Sequence, residues 1–395
     1  MKKTLAAVAV LGAFAGSAFA ADVTLYGKID LGLQYQNVEN KGYVDGVDTD
    51  SFGMKSGINS GSRWGIKGTE QISEGLTVGF QLESGFEADD GSLKYGKGDN
   101  DRMFGREARL YVQTDFGELG FGRMGGLDSG SGSYDIFGGN AGVFGGGWSG
   151  IGSDNKIFRG MSDRYDNMIT YKSPEFSGVT VYAQASLSTD NALEYEDGVE
   201  GSSDVNRYYA IGATGKWGAL SSALVFSTTD YARDFVNEKT GGQEEDSSKV
   251  VSGYVAYDFG VVKTTLGAQY FDKVAKTENT ELTFDTDKLV MPKAKLGTLQ
   301  EGYGVMLGAT APIGAGTLYA SLGYTDYEDS EKNASGVKNE YDAYQFGIGY
   351  TYPLSKRTYL YTAAGYTVEG KDDNKKTDYE DQKTTEVVAG IVHNF

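Results

Sequence analysis

One pattern limits what this chain can fold into: apolar and polar residues alternate with period two from one end to the other. In the first such segment Val23, Leu25, Ile29, Leu31, Leu33 and Tyr35 share one face, while Thr24, Tyr26, Lys28, Asp30, Gln34 and Gln36 share the other. Leu76, Val78, Phe80, Leu82 and Phe86 stand opposite Thr77, Gln81, Glu83 and Glu87 in the same way. The pattern returns over 179–187, 262–270, 317–324, 341–352 and 385–395. About sixteen segments of roughly ten residues can be counted, the length a tilted strand needs to cross a bilayer. No helical periodicity of comparable strength is present.

The links between segments also alternate. Short ones carry turn chemistry: Ser73-Glu74-Gly75, Asp115-Phe116-Gly117-Glu118, Asp258-Phe259-Gly260 and Pro353-Leu354-Ser355-Lys356. Long polar ones lie near 37–60, 88–101, 124–163, 188–206, 229–248, 272–301, 325–340 and 367–384. Short turns on one side and long loops on the other separate a membrane barrel from a large secreted β-sandwich, whose strands would be shorter and whose polar face would meet solvent. The expected fold is therefore all-β: a transmembrane antiparallel β-barrel of about sixteen strands in one domain, 21–395. Residues 1–20 read as a signal peptide, with Lys2 and Lys3 ahead of a short apolar run and Ala18-Phe19-Ala20 at the cleavage site. Its loss takes two lysines, so a net charge of −19 becomes −21.

Composition agrees. The 58 Gly and 28 Tyr against 4 Pro suit long strands, tight turns and aromatic girdles. Without cysteine, an exported chain has no disulfide framework and must rely on closure of a sheet. The acidic balance argues against nucleic acid as a partner. Catalysis has little to work with, since the one histidine, His393, sits in the last segment on the face of Ile391 and Phe395. His393 also lacks companions for a metal site, and no cofactor is implied. Gly120-x-Gly122-x-x-Gly125 matches a dinucleotide fingerprint only by chance, because a glycine-rich loop follows where a helix is required. Acidic runs such as Asp45-Asp48-Asp50, Glu244-Glu245-Asp246 and Asp372-Asp373 are expected to be solvated loop surface, with loose binding of Ca²⁺ or Mg²⁺ as the alternative.

Several strings resemble one family. They include Val23-Thr24-Leu25-Tyr26-Gly27, Gly61-Ser62-Arg63-Trp64-Gly65, Phe104-Gly105-Arg106, Phe121-Gly122-Arg123, Asp166-Asn167 with Tyr171-Lys172-Ser173-Pro174, and the closing His393-Asn394-Phe395. In this order they resemble the Gram-negative general porins, most like those of β-proteobacteria. The resemblance implies a trimeric outer-membrane channel whose third loop folds inward. Its partners would be outer-membrane lipid, lipopolysaccharide, the barrel-assembly machinery that reads Phe395, and small hydrophilic solutes and ions. Here the third loop is 124–163, with twelve glycines in the 28 residues from Gly125 to Gly152, too many for regular structure to persist.

In porins of this kind wall arginines face loop carboxylates across the narrowest point. By motif Arg63 and Arg164 match two wall positions, and parity agrees: Trp64 and Ile66 face out beside Arg63, and Tyr165, Ile169 and Tyr171 beside Arg164. The third is ambiguous. The motif selects Arg106, whereas outward Ala108, Leu110 and Val112 would turn Glu107 and Arg109 to the lumen, unless a bulge or the strand's rim reconciles the two. Lys67, Lys28 and Arg123 are further basic candidates, and Asp128 and Asp135, in Tyr134-Asp135-Ile136-Phe137-Gly138, the loop acids. Two function classes remain: a passive general channel, or a surface binding protein or adhesin acting through its long acidic loops.

Overall fold

The computed structural model describes residues 22–41, 47–94, 102–145, 147–152, 157–160, 164–189, 205–231, 247–277, 284–285, 288–289, 296–330, 338–372 and 380–395. The signal-peptide reading of residues 1–20 lies outside them. The alternating segments form β1 (Thr24–Lys41), β2 (Arg63–Ser73), β3 (Leu76–Phe86), β4 (Glu107–Thr114), β5 (Gly117–Met124) and β6 (Tyr165–Lys172). They continue as β7 (Val179–Ser186), β8 (Arg207–Trp217), β9 (Leu220–Asp230), β10 (Lys249–Asp258) and β11 (Lys263–Thr277). The last five are β12 (Leu296–Ile313), β13 (Gly316–Asp329), β14 (Glu340–Pro353), β15 (Thr358–Asp372) and β16 (Glu380–Asn394). Each pairs antiparallel with its chain neighbours, and β16 pairs with β1 from Lys28↔Asn394 to Lys41↔Asp381. Sixteen strands thus close into a barrel with no free edge, as lipid requires.

Period two decides which side each residue faces. Leu25, Leu33, Leu110, Phe121, Leu224 and Leu307 are exposed on the outer surface, while their strand neighbours turn inward. At the closing seam Phe395 N–H donates to the Gly27 carbonyl at 3.0 Å and Gly27 N–H to the Phe395 carbonyl at 3.1 Å. The Phe395 ring lies where a side chain at position 27 would be, so only glycine fits there. Deleting Phe395 removes both bonds and the ring at once. The truncated chain is expected to give less folded, heat-modifiable barrel, and a normal yield on a gel of unheated samples would contradict this.

The strands run further than the alternation alone suggested. Much of the expected loop 37–60 is a hairpin, because β1 continues to Lys41 and a short strand, Thr49–Ser56, pairs back onto it from Val38↔Thr49 to Leu31↔Ser56. β13 reaches Asp329 and β15 reaches Asp372, inside the links expected at 325–340 and 367–384. Polar residues continue the backbone ladder above the apolar belt, where the hydrophobic pattern no longer marks them.

The third loop folds inward, and among its described residues the regular structure is a one-turn helix, Gly138–Ala141, and a 3₁₀ turn, Trp148–Gly150. It builds apolar cores inside the barrel. Leu127, Ile136, Phe137, Ala141, Ile157 and Phe158 join wall residues Met168, Tyr208, Val225 and Met306. Phe144, Trp148 and Ile151 join Ile58, Tyr361, Ala363, Val388 and Val392.

Candidate functional site

The site is built where β1 to β5 face the lumen. Glu83, on β3, is the centre of a charge cluster. Arg106 Nε donates to its Oε1 at 2.6 Å, and Arg63 Nη1 lies 3.7 Å from the same oxygen. Tyr26 OH donates to Oε2 at 2.9 Å, and Gln81 Nε2 donates to that phenol at 2.9 Å. The Glu83 side chain is 9% exposed and that of Arg106 6%, so these bonds are shielded from water. Lys28 donates to Ser60 Oγ at 3.1 Å, as does Arg63 at 2.9 Å. Lys67 is exposed on the same inner face, with its ammonium 5.3 Å from the Tyr26 ring centroid.

Both readings of the third arginine meet at the rim. β4 starts at Glu107, and Arg106 stands just before it, its N–H donating to the Glu83 carbonyl at 3.2 Å. Outside the ladder it is freed from strand parity, so its guanidinium turns inward to Glu83. Arg109 also faces in. Its Nε lies 3.2 Å from Glu107 Oε1, its Nη1 3.4 Å from Glu118 Oε1, and its Nη2 donates to Gln81 at 3.2 Å. The rings of Tyr111 and Tyr134 bracket its guanidinium at 4.6 and 4.9 Å.

Arg164 is placed differently from the parity argument. Tyr165 does not face lipid; it is buried and stacks on Tyr208 with centroids 4.2 Å apart. Asn167 adopts a left-handed φ of 50°, and the β5–β6 register shifts between Gly122 and Met124. This bulge rotates the start of β6 by one position. Arg164, itself buried, lies in electrostatic reach of Glu107. Arg123 bonds Asp166 at 2.7 Å and the Gly105 carbonyl at 2.8 Å, and Arg102 grips Asp166 with bonds of 3.0 and 2.9 Å.

The two loop acids are engaged elsewhere, which corrects the expected opposition of wall arginines and loop carboxylates. Asp128 is 1% exposed and accepts from Tyr208 OH at 2.9 Å and Ser227 Oγ at 2.6 Å, on β8 and β9. Burial pushes its carboxyl up from the usual range. Asp135 accepts four backbone N–H groups of its own loop, from Gly130, Phe137, Gly138 and Gly139, at 3.1, 3.3, 3.0 and 2.7 Å. Burial nevertheless raises it to about 6. The arginines therefore find their carboxylates on the barrel itself, at Glu83, Glu107, Glu118 and Asp166. Among the described residues no cluster of His, Asp and Glu has metal-holding geometry.

A closed sixteen-strand barrel with an inward third loop and a charged inner wall agrees with the comparisons. The family model described as Gram-negative porin matches residues 6–375. An outer membrane porin protein of Bordetella pertussis is 33% identical over 428 aligned positions, covering the whole of both chains. The chain belongs to the Gram-negative porin family. Among solved structures, the anion-selective porin from Comamonas acidovorans superposes with a TM-score of 0.61 at 23% identity, covering 95% of this chain and all of the other. OmpT of Vibrio cholerae, in a trimer form, gives 0.54 at 15% identity, covering 94% of this chain and 99% of the other. The porin is accordingly an outer-membrane channel for passive diffusion, and nothing in these relatives supports the surface-binding alternative.

Glu83, Glu118, Arg102 and Asp166 complete the porin's inner wall without having been singled out from sequence. Glu83 was legible as a lumen residue from alternation with Leu82, but its pairing across strands was not. Arg102 lies ahead of β4 on a segment with no period to read.

Proposed function

We propose that the porin is a homotrimeric general diffusion channel for ions and small hydrophilic solutes, with a constriction that favours anions. One observation carries the sign of that preference: on the arc of β1 to β4 the cations Lys28, Arg63, Lys67 and Arg106 outnumber the carboxylates Asp30 and Glu83 beside them, Glu107 being paired with Arg109, while Asp128 and Asp135 of the third loop are engaged elsewhere. Fixed cations between low-dielectric walls attract anions and orient dipolar solutes. The trimer form of OmpT supports the assembly. In this reading residues 1–20 direct export and are removed, the barrel-assembly machinery reads the terminal Phe395, and lipid and lipopolysaccharide surround the outer face.

The outer loops pull the other way. By sequence, Asp89 and Asp90, together with Asp99, Asp101, Glu194, Glu196, Asp197, Glu200 and Asp204 beyond the described residues, belong to long acidic links that are expected to concentrate cations at the mouth. Their effect is screened over a Debye length of about 8–10 Å at physiological salt and about 3 Å at 1 M. The eyelet arginines act at closer range and are screened less. Reversal potentials should thus drift toward anions as salt rises, and Arg63→Glu or Arg164→Glu should move them toward cations at every salt concentration. The same change at Arg233, in an outer loop beyond the described residues, should do much less. Equal shifts from all three, or a preference flat from dilute to molar salt, would refute this division.

A further inference from the structure

The third loop does not hang in the lumen; it lies on the wall at places where the wall has no side chains. At Gly308 on β12 an added Cβ would come within 2.5 Å of Val143, and at Gly323 on β13 within 2.5 Å of Ile157. At Gly349 on β14 it would meet Phe144 at 2.9 Å, and at Gly365 on β15 Ile151 at 3.0 Å. Gly267 on β11 faces Ala141 at 3.0 Å, and at Gly304 on β12 a side chain would collide with the Ile157 carbonyl. All six are inward positions by strand parity. Cβ atoms essentially never approach a neighbour as closely as at Gly304, Gly308, Gly323 and Gly349, and at Gly267 and Gly365 the loop would have to give by a few tenths of an ångström, so side chains along this track would press the loop away from the sheet.

The burial of the inner face shows where the loop leaves room. Inward residues along the middle of β6 to β14 are covered, among them Thr170, Gln184, Ser252, Thr265, Thr325 and Gln345. On β1 and β2 the inward Lys28 and Arg63 are half-buried and Lys67, Thr69 and Gln71 are exposed, although Asp30, Glu83 and Glu107 at the centre of the same arc are buried in the charge cluster. The loop is thus an inner layer on one side of the barrel, and water meets the wall on the other. From this we infer that the wall glycines of β11 to β15 are positioning residues for permeation. They let the loop sit flush, and the depth of its seat sets the width of an off-axis passage along β1 to β4.

This inference rests on the channel reading, and its direction follows from the order of the layers. The loop stands between the glycine track and the passage, so atoms added to the track take their space from the passage. Gly308→Val is expected to lower single-channel conductance at least twofold in planar bilayers and to shift the exclusion limit for neutral poly(ethylene glycol)s to smaller chains. Val143→Gly, which removes the atoms that Gly308→Val would meet, should restore much of the conductance in the double variant. Heat-modifiable trimer on gels checks that the barrel is folded, and Gly349→Ala, which adds one carbon against Phe144, carries the same readout if Gly308→Val does not assemble. Folded variants with unchanged or larger conductance, or a double variant no better than Gly308→Val, would overturn the inference. The unmodified protein, run alongside, reads the channel itself, so absence of its conductance steps and insensitivity of the seat are separate results.

Discussion

Glu83→Gln is expected to destabilise the folded barrel by about 3 kcal/mol and to move the reversal potential further toward anions. Arg106 and Arg63 share this carboxylate, and the Arg106 guanidinium is almost fully enclosed. Removing one member of a buried ion pair typically costs about 3–5 kcal/mol, because the partner charge stays buried without compensation. The lower end applies, since Arg63 is partly open to water and keeps its bonds to Ser60 and the Gly61 carbonyl. Gln preserves the volume and can still accept from Tyr26, so the loss reads charge rather than packing. Neutralising Glu83 also unmasks a full positive charge at the arc, where screening is weakest. Urea unfolding of the detergent-solubilised protein and zero-current potentials across a salt gradient measure the two effects. An unchanged unfolding midpoint together with an unchanged potential would mean that Glu83 neither holds nor masks these arginines.

How much of this was legible in the sequence depends on the period of each element. Alternation places Leu25, Leu110 and Leu307 outside and Glu83, Thr170 and Gln345 inside, because a residue in a ladder has only two directions available. It fails where the ladder is broken. Asn167 sits in a left-handed bulge, and one extra residue there turns Tyr165 inward and voids the parity argument made for Arg164. Arg106 escapes parity for a different reason: it stands one residue outside β4. Both exceptions lie next to the charge cluster, where the barrel departs from regular pairing in order to aim side chains.

The third loop was legible in composition but not in path. Twelve glycines between Gly125 and Gly152 announce a segment without regular structure. They do not reveal that Phe144, Trp148 and Ile151 are anchors, because a loop has no face to show them on. Nor do they reveal that the complementary glycines are on the wall, at Gly308, Gly323 and Gly349, where each reads as a weak spot in a strand. Asp128 and Asp135 illustrate the same limit. Their placement on the loop was clear, yet whether a loop carboxylate meets an arginine or a hydroxyl depends on how far the loop travels before it touches the sheet.

Trp148→Ala should have the largest effect of any single change within the loop. The indole is 4% exposed and fits among Phe144, Tyr319 and Tyr361, with ring centroids 5.3, 5.5 and 5.7 Å away. Truncating a buried Trp to Ala typically costs about 3–5 kcal/mol through lost contacts and the cavity left behind. That cost falls on the docking of the loop's far half, so the loop should detach intermittently from β14 and β15. Open-channel current noise should rise severalfold, and the unfolding midpoint should drop. The backbone adds a second, independent test. Trp148 has a φ of 65°, in the left-handed region that side-chain-bearing residues enter at a cost of roughly 1–2 kcal/mol. The indole's packing offsets that strain in the native protein, but alanine keeps the strain and loses the packing. Glycine loses the same packing and is free of the strain, so Trp148→Gly should be more stable than Trp148→Ala by roughly 1 kcal/mol, the reverse of the usual order in regular structure. If the alanine variant kept quiet currents and the native midpoint, Trp148 would not be an anchor. If glycine proved the more damaging of the two, the left-handed turn would not be a strain that the aromatic cluster holds in place.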